Sequence, residues 1–302
     1  MPTLILGLLL FATAALAGPG EALYFGAHGA RHYTITTSSA EAQSWFNQGL
    51  TLCYGFNHAE AIRSFEQAAQ EDPDCPMAQW GIAYAWGPHI NNPAMDEQAN
   101  AAARAAADRA MALRQRATPT ERALIEALDR RYAQPVPEDR APLDRAYADA
   151  MRAVWQARRD DPDVGALFAE SLMNLRPWDL WTADGKMQPG TDEIIATLES
   201  VLAMEPLHPA ANHFYIHTME ASPTPEKALP AADRLRELVP WAGHLVHMPA
   251  HIDIRLGRYT AAATANQKAI AADLAYVEKA GREGFYTIYR AHNYHFLAYA
   301  AM

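Results

Sequence analysis

Helix-forming stretches in this chain stop repeatedly at a proline: EDPD at Pro73, DDPD at Pro162, MEPL at Pro206 and LVPW at Pro240. Pro240 follows Pro206 by 34 residues, and Pro206 follows Pro162 by 44. Proline cannot continue a helix, because it lacks the backbone N–H and its ring collides with the preceding turn. A stop that recurs at such a spacing marks a stack of like units, each too small to bury its own apolar face. Alanine is abundant, and no stretch alternates Val, Ile or Thr with polar residues, so the units are expected to be helices. Half of the 302 residues are hydrophobic and 20 % are charged, enough to build one extended domain or two compact ones. The net charge of −10 argues against a nucleic-acid binder, which carries a basic footprint.

The stretch AQSWFNQGLTLCYGFNHAEAIRSFEQAAQEDPD resembles a tetratricopeptide repeat. With Ala42 as position 1, Trp45 falls at 4, Gly49 at 8, Ala61 at 20, Phe65 at 24, Ala68 at 27 and Pro73 at 32, the signature positions and residue types of that family. Gly49 and Ala61 are small where two helices cross closely, and Ser38 with Glu41 forms the Ser-x-x-Glu pattern of a capping box. The resemblance covers roughly 41–302, strong in the first unit, fair in the last three and poor between. The 89 residues from Pro73 to Pro162 leave room for two degenerate repeats and an insertion at YAQPVPEDRAP, and RPWDLWTADGKMQPG is a second insertion. WGPHINNPAM interrupts the second helix pair, and GRYTAAA is a turn into a further second helix. The resemblance implies an all-α, tetratricopeptide-like right-handed superhelix of antiparallel helix pairs. The chain ends in FLAYAAM within the first helix of a unit, so the solenoid is expected to be incomplete or to need a partner over its end.

The first residues read as a secretory signal. Leu4 to Leu16 is apolar but shorter than the ~20 residues of a membrane span, and Ala15-Leu16-Ala17 fits the small-x-small cleavage rule. The segment lacks the usual Lys or Arg, so a frayed N-terminal helix is the competing reading. The expected organisation is a signal peptide at 1–17, an extension at 18–40 and the solenoid at 41–302, in a periplasmic or secreted protein with no membrane span. Export would permit a Cys53–Cys75 disulfide. The two fall at repeat positions 12 and 34, separated by about 15 Å of helix rise where bridged Cα atoms need roughly 7 Å, so two buried free thiols are expected.

The chain's chemistry concentrates in its histidines. NHFYIHTME holds His213 and His217; GHLVHMPAHIDIR holds His244, His247 and His251; RAHNYHF holds His292 and His295. Counting from Pro209, His213 and His217 are positions 5 and 9; counting from Gly243, His244, His247 and His251 are 2, 5 and 9. The last unit follows an insertion, and with His295 at position 5 His292 falls at 2 and Tyr299 at 9. In the resembled family, positions 2, 5 and 9 face the concave groove, so the histidines are expected to meet there. Imidazoles at i and i+4 share one helix face, and neighbouring helices pack ~8–10 Å apart, close enough for one ion. His213, His217, His247 and His251 form the expected inner ligand set, with His244, His292 and His295 completing the shell or building a second site. Such donors suit copper or zinc, and iron less well. Glu220 and Asp253 are candidate carboxylate ligands or partners of the ring N–H groups.

The plainer alternative is that these histidines hydrogen-bond within the core, near Tyr215 and Tyr294, or line, with aromatic residues, a groove that takes a peptide, a protein or a small molecule. His58, at the helix turn, is read as structural packing; His89 sits in a loop that could reach the groove mouth; His28, His32 and His208 read as surface or loop residues. Trp178 and Trp181 are either a plug under the insertion or a lid over the groove. No G-x-S-x-G and no phosphate-cradling glycine loop is present. If the protein is an enzyme, it is a metal-dependent one, a copper or iron oxidoreductase or a hydrolase. FNHAEAIRSF, EASPTPEKALPAADRLRELVP and GHLVHMPAHI further resemble a bacterial subgroup of exported tetratricopeptide proteins, which carries no activity with it.

Overall fold

The computed structural model describes residues 22–26, 29–281 and 284–302. The expected leader at 1–17 and His28 lie outside them. Helices run as successive antiparallel pairs: α1 (Ala40–Tyr54) with α2 (His58–Glu71), α3 (Pro76–Trp86) with α4 (Glu97–Leu113), α5 (Pro119–Asp129) with α6 (Ala141–Ala157), and α7 (Pro162–Met173) with α8 (Thr191–Met204). Then come α9 (Pro209–Met219) with α10 (Leu229–Leu235), and α11 (Gly243–His247) and α12 (Pro249–Arg255) with α13 (Tyr259–Ala280). Last is α14 (Thr287–Ala301). Among the described residues there is no strand, only the isolated bridges His89–Asn92 and Trp181–Met187. The architecture is a tetratricopeptide-like helical superhelix, and two pairs fill the span between α2 and α7, as the spacing requires.

Local chemistry explains where the helices begin. Ser39, one residue after the expected cap, takes the N-cap of α1 and accepts from the Ala42 amide. A reciprocal capping box forms instead at α5, between Thr118 and Glu121. Pro162 starts α7 rather than ending a helix, because the first helical position needs no N–H. Gly49 is small because a Cβ there would lie 2.7 Å from the Phe65 ring, and at Gly81 the distance would be 2.4 Å. Cys53 and Cys75 are both buried free thiols. Among the described residues, no helix is long and apolar enough to cross a membrane.

In an open solenoid each unit touches only its neighbours. Here the first unit also meets the later ones, and the concave side is filled. The described part of the extension runs extended over α1. Its backbone amides at Leu23, Phe25, Arg31, Tyr33 and Ile35 donate to Glu60, Gln48, Thr51, Asn47 and Gln43. These partners explain buried polar side chains in the middle of helices. Buried Asp163 on α7 accepts from Arg31, Tyr54 and His208 at 2.9, 2.9 and 3.2 Å. His208, expected at the surface, is therefore buried, where it also caps α9 through the Ala211 amide. Further along, Tyr276 donates to Glu60 at 3.0 Å and Phe25 stacks on Trp241 at 5.0 Å. This closure places the end of α1 against α9 and shuts the histidine face inside the molecule.

Candidate metal centre

α9 and α11 begin at Pro209 and Gly243, the two residues from which the repeat positions were counted. The histidines therefore fall in phase on the inner side. Two groups of three form, His213–His217–His244 and His247–His251–His292; within each, one ring nitrogen per residue lies within 4.8 Å of the others. Pro249 breaks the last α11 turn, since it offers no N–H to the preceding carbonyls. His247 and His251 straddle that break and still face each other, Nε2 to Nε2, at 2.9 Å.

The ring nitrogens turned away from the centre are held by oxygens. His213 Nδ1 donates to the Tyr54 carbonyl at 2.6 Å, and His217 Nδ1 to Glu220 Oε1 at 2.7 Å. His247 Nδ1 donates to Asn266 Oδ1 at 2.7 Å. The Asn266 amide nitrogen is committed to the Ala262 carbonyl, which fixes its oxygen toward the ring. His251 Nδ1 donates to Glu220 Oε2. Each Nδ1 thus carries the hydrogen, and each Nε2 presents a lone pair inward, the pattern in which an oxygen orients a ligating histidine. These four are the expected inner set, but they do not form one group: two belong to each triad, and His244 and His292 complete the triads.

Burial disfavours the imidazolium at His213, His217, His244, His247 and His292. Burial first, then the neighbouring His217, pushes the His213 imidazolium well below its ordinary range; His217 is lowered mainly by burial. Burial and then His213 do the same for His244, and burial and then His251 for His247. His292 is pushed down to about 4 by burial and His251. Burial alone would raise the Glu220 carboxyl, but the His251 and His217 N–H donors outweigh it and hold the carboxylate below the usual range.

With a hydrogen on each Nδ1, the Nε2 atoms of His247 and His251 face each other 2.9 Å apart, a spacing that a shared hydrogen or a shared ion would bridge. His213 Nε2, with its own hydrogen on Nδ1, faces His244 Nε2 at 3.1 Å, where it accepts a hydrogen from His244 or shares an ion with it. Nitrogens bound ~2.0–2.1 Å from one zinc-sized ion lie about 2.9 Å apart at a right angle and about 3.3 Å at the tetrahedral angle, so both spacings suit a shared ion. His217 Nε2 and His244 Nδ1 are buried with no hydrogen-bond partner among the described residues. The donor set fits a transition metal.

Some expected participants lie elsewhere. His295 is exposed and belongs to neither group. α14 starts at Thr287, a full turn earlier than the assumed register. At about 100° per residue, its inward face of Tyr289, Asn293 and Phe296 carries His292 along its edge and turns His295 outward. Asp253 is buried but bound at both oxygens by Arg236, at 2.7 and 2.8 Å, so its role is structural. The insertion divides its labour: Trp181 Nε1 is anchored on the Thr218 carbonyl at 2.7 Å, while Trp178 is exposed and meets the His217 ring edge-on at 5.0 Å.

Phe56 escaped sequence reasoning. It and Trp178 are the two non-glycine residues with positive φ among the described residues, at 58° and 62°, and both place a ring against His217. Strained backbone of this kind collects at functional sites. Phe56 also touches His213 at 4.6 Å and His244 at 5.2 Å, and separates them from a second buried pair, His58 stacked on His89 at 4.1 Å. The only sequence signal was the turn GFN after a helix. Asn266 gave none, since an Asn on a polar helix is ordinary.

No protein-family model matches the chain, and no curated protein does. Among solved structures it is similar to MamA. A chain titled MamA RS-1 ArsTM double mutant is 12% identical, with a TM-score of 0.37 over 80% of this chain and 98% of that one. MamA 41-end from Desulfovibrio magneticus RS-1 is also 12% identical, at 0.35 over 79% and 98%. At that identity and score the likeness adds nothing to the fold visible in the helices themselves.

Proposed function

We propose that this is an exported helical-repeat protein that binds transition-metal ions, copper or zinc ahead of iron, in two three-histidine sites linked by Glu220. The observation that carries the reading is the pair of facing Nε2 atoms of His247 and His251, whose Nδ1 atoms are engaged by Asn266 and Glu220. Bound there, an ion supplies Lewis acidity, an acidified water or redox cycling. The chain's own contribution is to bury the imidazoles, to fix their rotation through oxygens on the outer nitrogens, and to pack Phe56 and Phe296 against them. Elemental analysis of protein purified without a histidine tag tests it. A wild-type chain without bound metal, even after incubation with copper or zinc, would sink the reading. Export rests on Met1–Ala17, and mature protein beginning at Gly18 in the periplasm or medium is the expected finding.

A second reading is a protein-binding scaffold without metal. It is favoured by the exposed apolar side chains of α14, where Ile288, Tyr294 and Tyr299 are 57%, 49% and 51% exposed. The same elemental analysis separates the two.

A further inference from the structure

Above the histidines the closed superhelix leaves two cavities, one on either side of Trp178. One, of about 420 Å³, opens onto His217, His244, His251 and His292, so it reaches both triads. The other, of about 360 Å³, reaches His217, His251 and Glu220 past Met173, Leu180 and Trp181. Trp178 lines both. Volumes of this size suit a small organic molecule.

The wall of the larger cavity carries no Asp, Glu, Lys or Arg. Its polar groups besides the histidines are Asn91 and Tyr289, already joined to each other at 3.2 Å. Apart from anything the triads hold, a charged ligand would find no counter-charge among its side chains. Trp178, Phe285 and Ile288, which form part of its lining, are 55%, 46% and 57% exposed. Trp178 holds its indole in this position at a φ of 62°, a backbone state that side-chain-bearing residues adopt at a cost, with little burial of the ring to offset it. Aromatic faces on the wall and at the mouth favour a flat ring as occupant.

We infer that the cavity beside Trp178 and above the two triads binds a small, neutral, aromatic molecule with one polar donor directed at the histidines. The inference rests on the metal reading only for what that donor meets; the apolar seat is independent of it.

The test is calorimetric titration of the full chain, as purified, with 2-naphthol and with naphthalene-2-sulfonate, which has the same ring body and a fixed negative charge. Metal content is measured in parallel. One 2-naphthol per chain is expected, with the sulfonate at least about tenfold weaker. Trp178→Ala should weaken 2-naphthol about tenfold through the lost ring contact, with metal content unchanged. Ile288→Asp, an exposed change that sets a charge in the lining, should weaken it without altering the helical circular dichroism. Absence of saturable 2-naphthol binding, equal affinity for the sulfonate, or indifference to both substitutions overturns the inference. Binding of 2-naphthol by a chain that never takes up metal would uphold the cavity and refute the metal reading; metal uptake without 2-naphthol binding would do the reverse.

Discussion

His213, His217 and His244 are all buried, with His213 packed against Phe56, while His251 and His292 of the other triad are only half-buried. The supports differ too. His213 is oriented by the Tyr54 carbonyl, 159 residues away, so the first triad exists only when α1 has closed on α9. His247 is oriented by Asn266, 19 residues away, and the three histidines of its triad lie on α11, α12 and α14, with Glu220 at the end of α9 as the outside support. Identical ring chemistry is thus tied in one case to the closure of the whole superhelix and in the other to a local helical unit. Glu220 is the one group that serves both.

The strongest break in this comparison is His247→Ala with His251→Ala. Structural zinc sites gain ~10–16 kcal/mol from four ligands, so each ligand is worth about 3 kcal/mol, and losing two should cost about four orders of magnitude in affinity. The second triad should empty while the first keeps its ion, which elemental analysis reads as a partial loss. Complete retention of metal would place the site elsewhere, and complete loss would show that the triads cannot fill separately.

Asp163→Asn attacks the other side. It removes the charge on which Arg31, Tyr54 and His208 converge, and breaking a buried pair of this kind costs about 3 kcal/mol. The melting temperature should fall by about 6–12 °C, and metal affinity should drop in the first triad more than in the second. Burial alone would raise the Asp163 carboxyl, but His208 and Arg31 outweigh it and hold it below its ordinary range. Its folded pKa lies under its unfolded value of about 3.9, so its stabilisation is present above about pH 4 and is lost as pH falls through the folded value. Acid unfolding curves should therefore be steeper for the native chain than for Asp163→Asn. Parallel curves would mean that Asp163 does not hold the closure.

Much of this was legible beforehand. The 34-residue spacing and the signature residues around Gly49 gave the helix pairs, and counting from Pro209 and Gly243 gave the inward phase of four histidines, because both features follow from local periodicity. His295 was misplaced because an insertion erased the register of α14. Closure of the concave side was not legible, since it depends on Arg31, Tyr54 and Asp163 meeting across distances that no periodicity encodes. Phe56 and His208 were misjudged or missed for the same reason. A turn residue reveals its surroundings only when distant units are brought against it.

Glu220→Gln should blur the difference between the triads. Its two oxygens accept from His217 and His251, and removing an oxygen that orients a ligating histidine costs about 10–100-fold in affinity. Gln keeps one acceptor and turns the other into a donor that meets an N–H. One triad should therefore weaken more than the other in a metal titration, and equal, unchanged affinities would remove Glu220 from the site.

Asn266→Ala should give the smallest effect and the most selective one. Asn266 lies on α13, away from the cavity, and its only role toward the centre is to accept the His247 Nδ1 hydrogen at 2.7 Å. Without that oxygen the ring is free to rotate, or to move its hydrogen to Nε2 and withdraw the lone pair from the ion. Loss of a single orienting oxygen should cost about tenfold, at the low end for such changes, and only in the second triad. Asn266→Asp is the informative companion. A carboxylate accepts the same hydrogen more strongly and makes the imidazole a better donor, so affinity should return to the native value or exceed it, despite an added buried charge. If Ala and Asp weaken binding alike, Asn266 acts through packing of α13, and the second triad is not the local unit that its sequence spacing makes it.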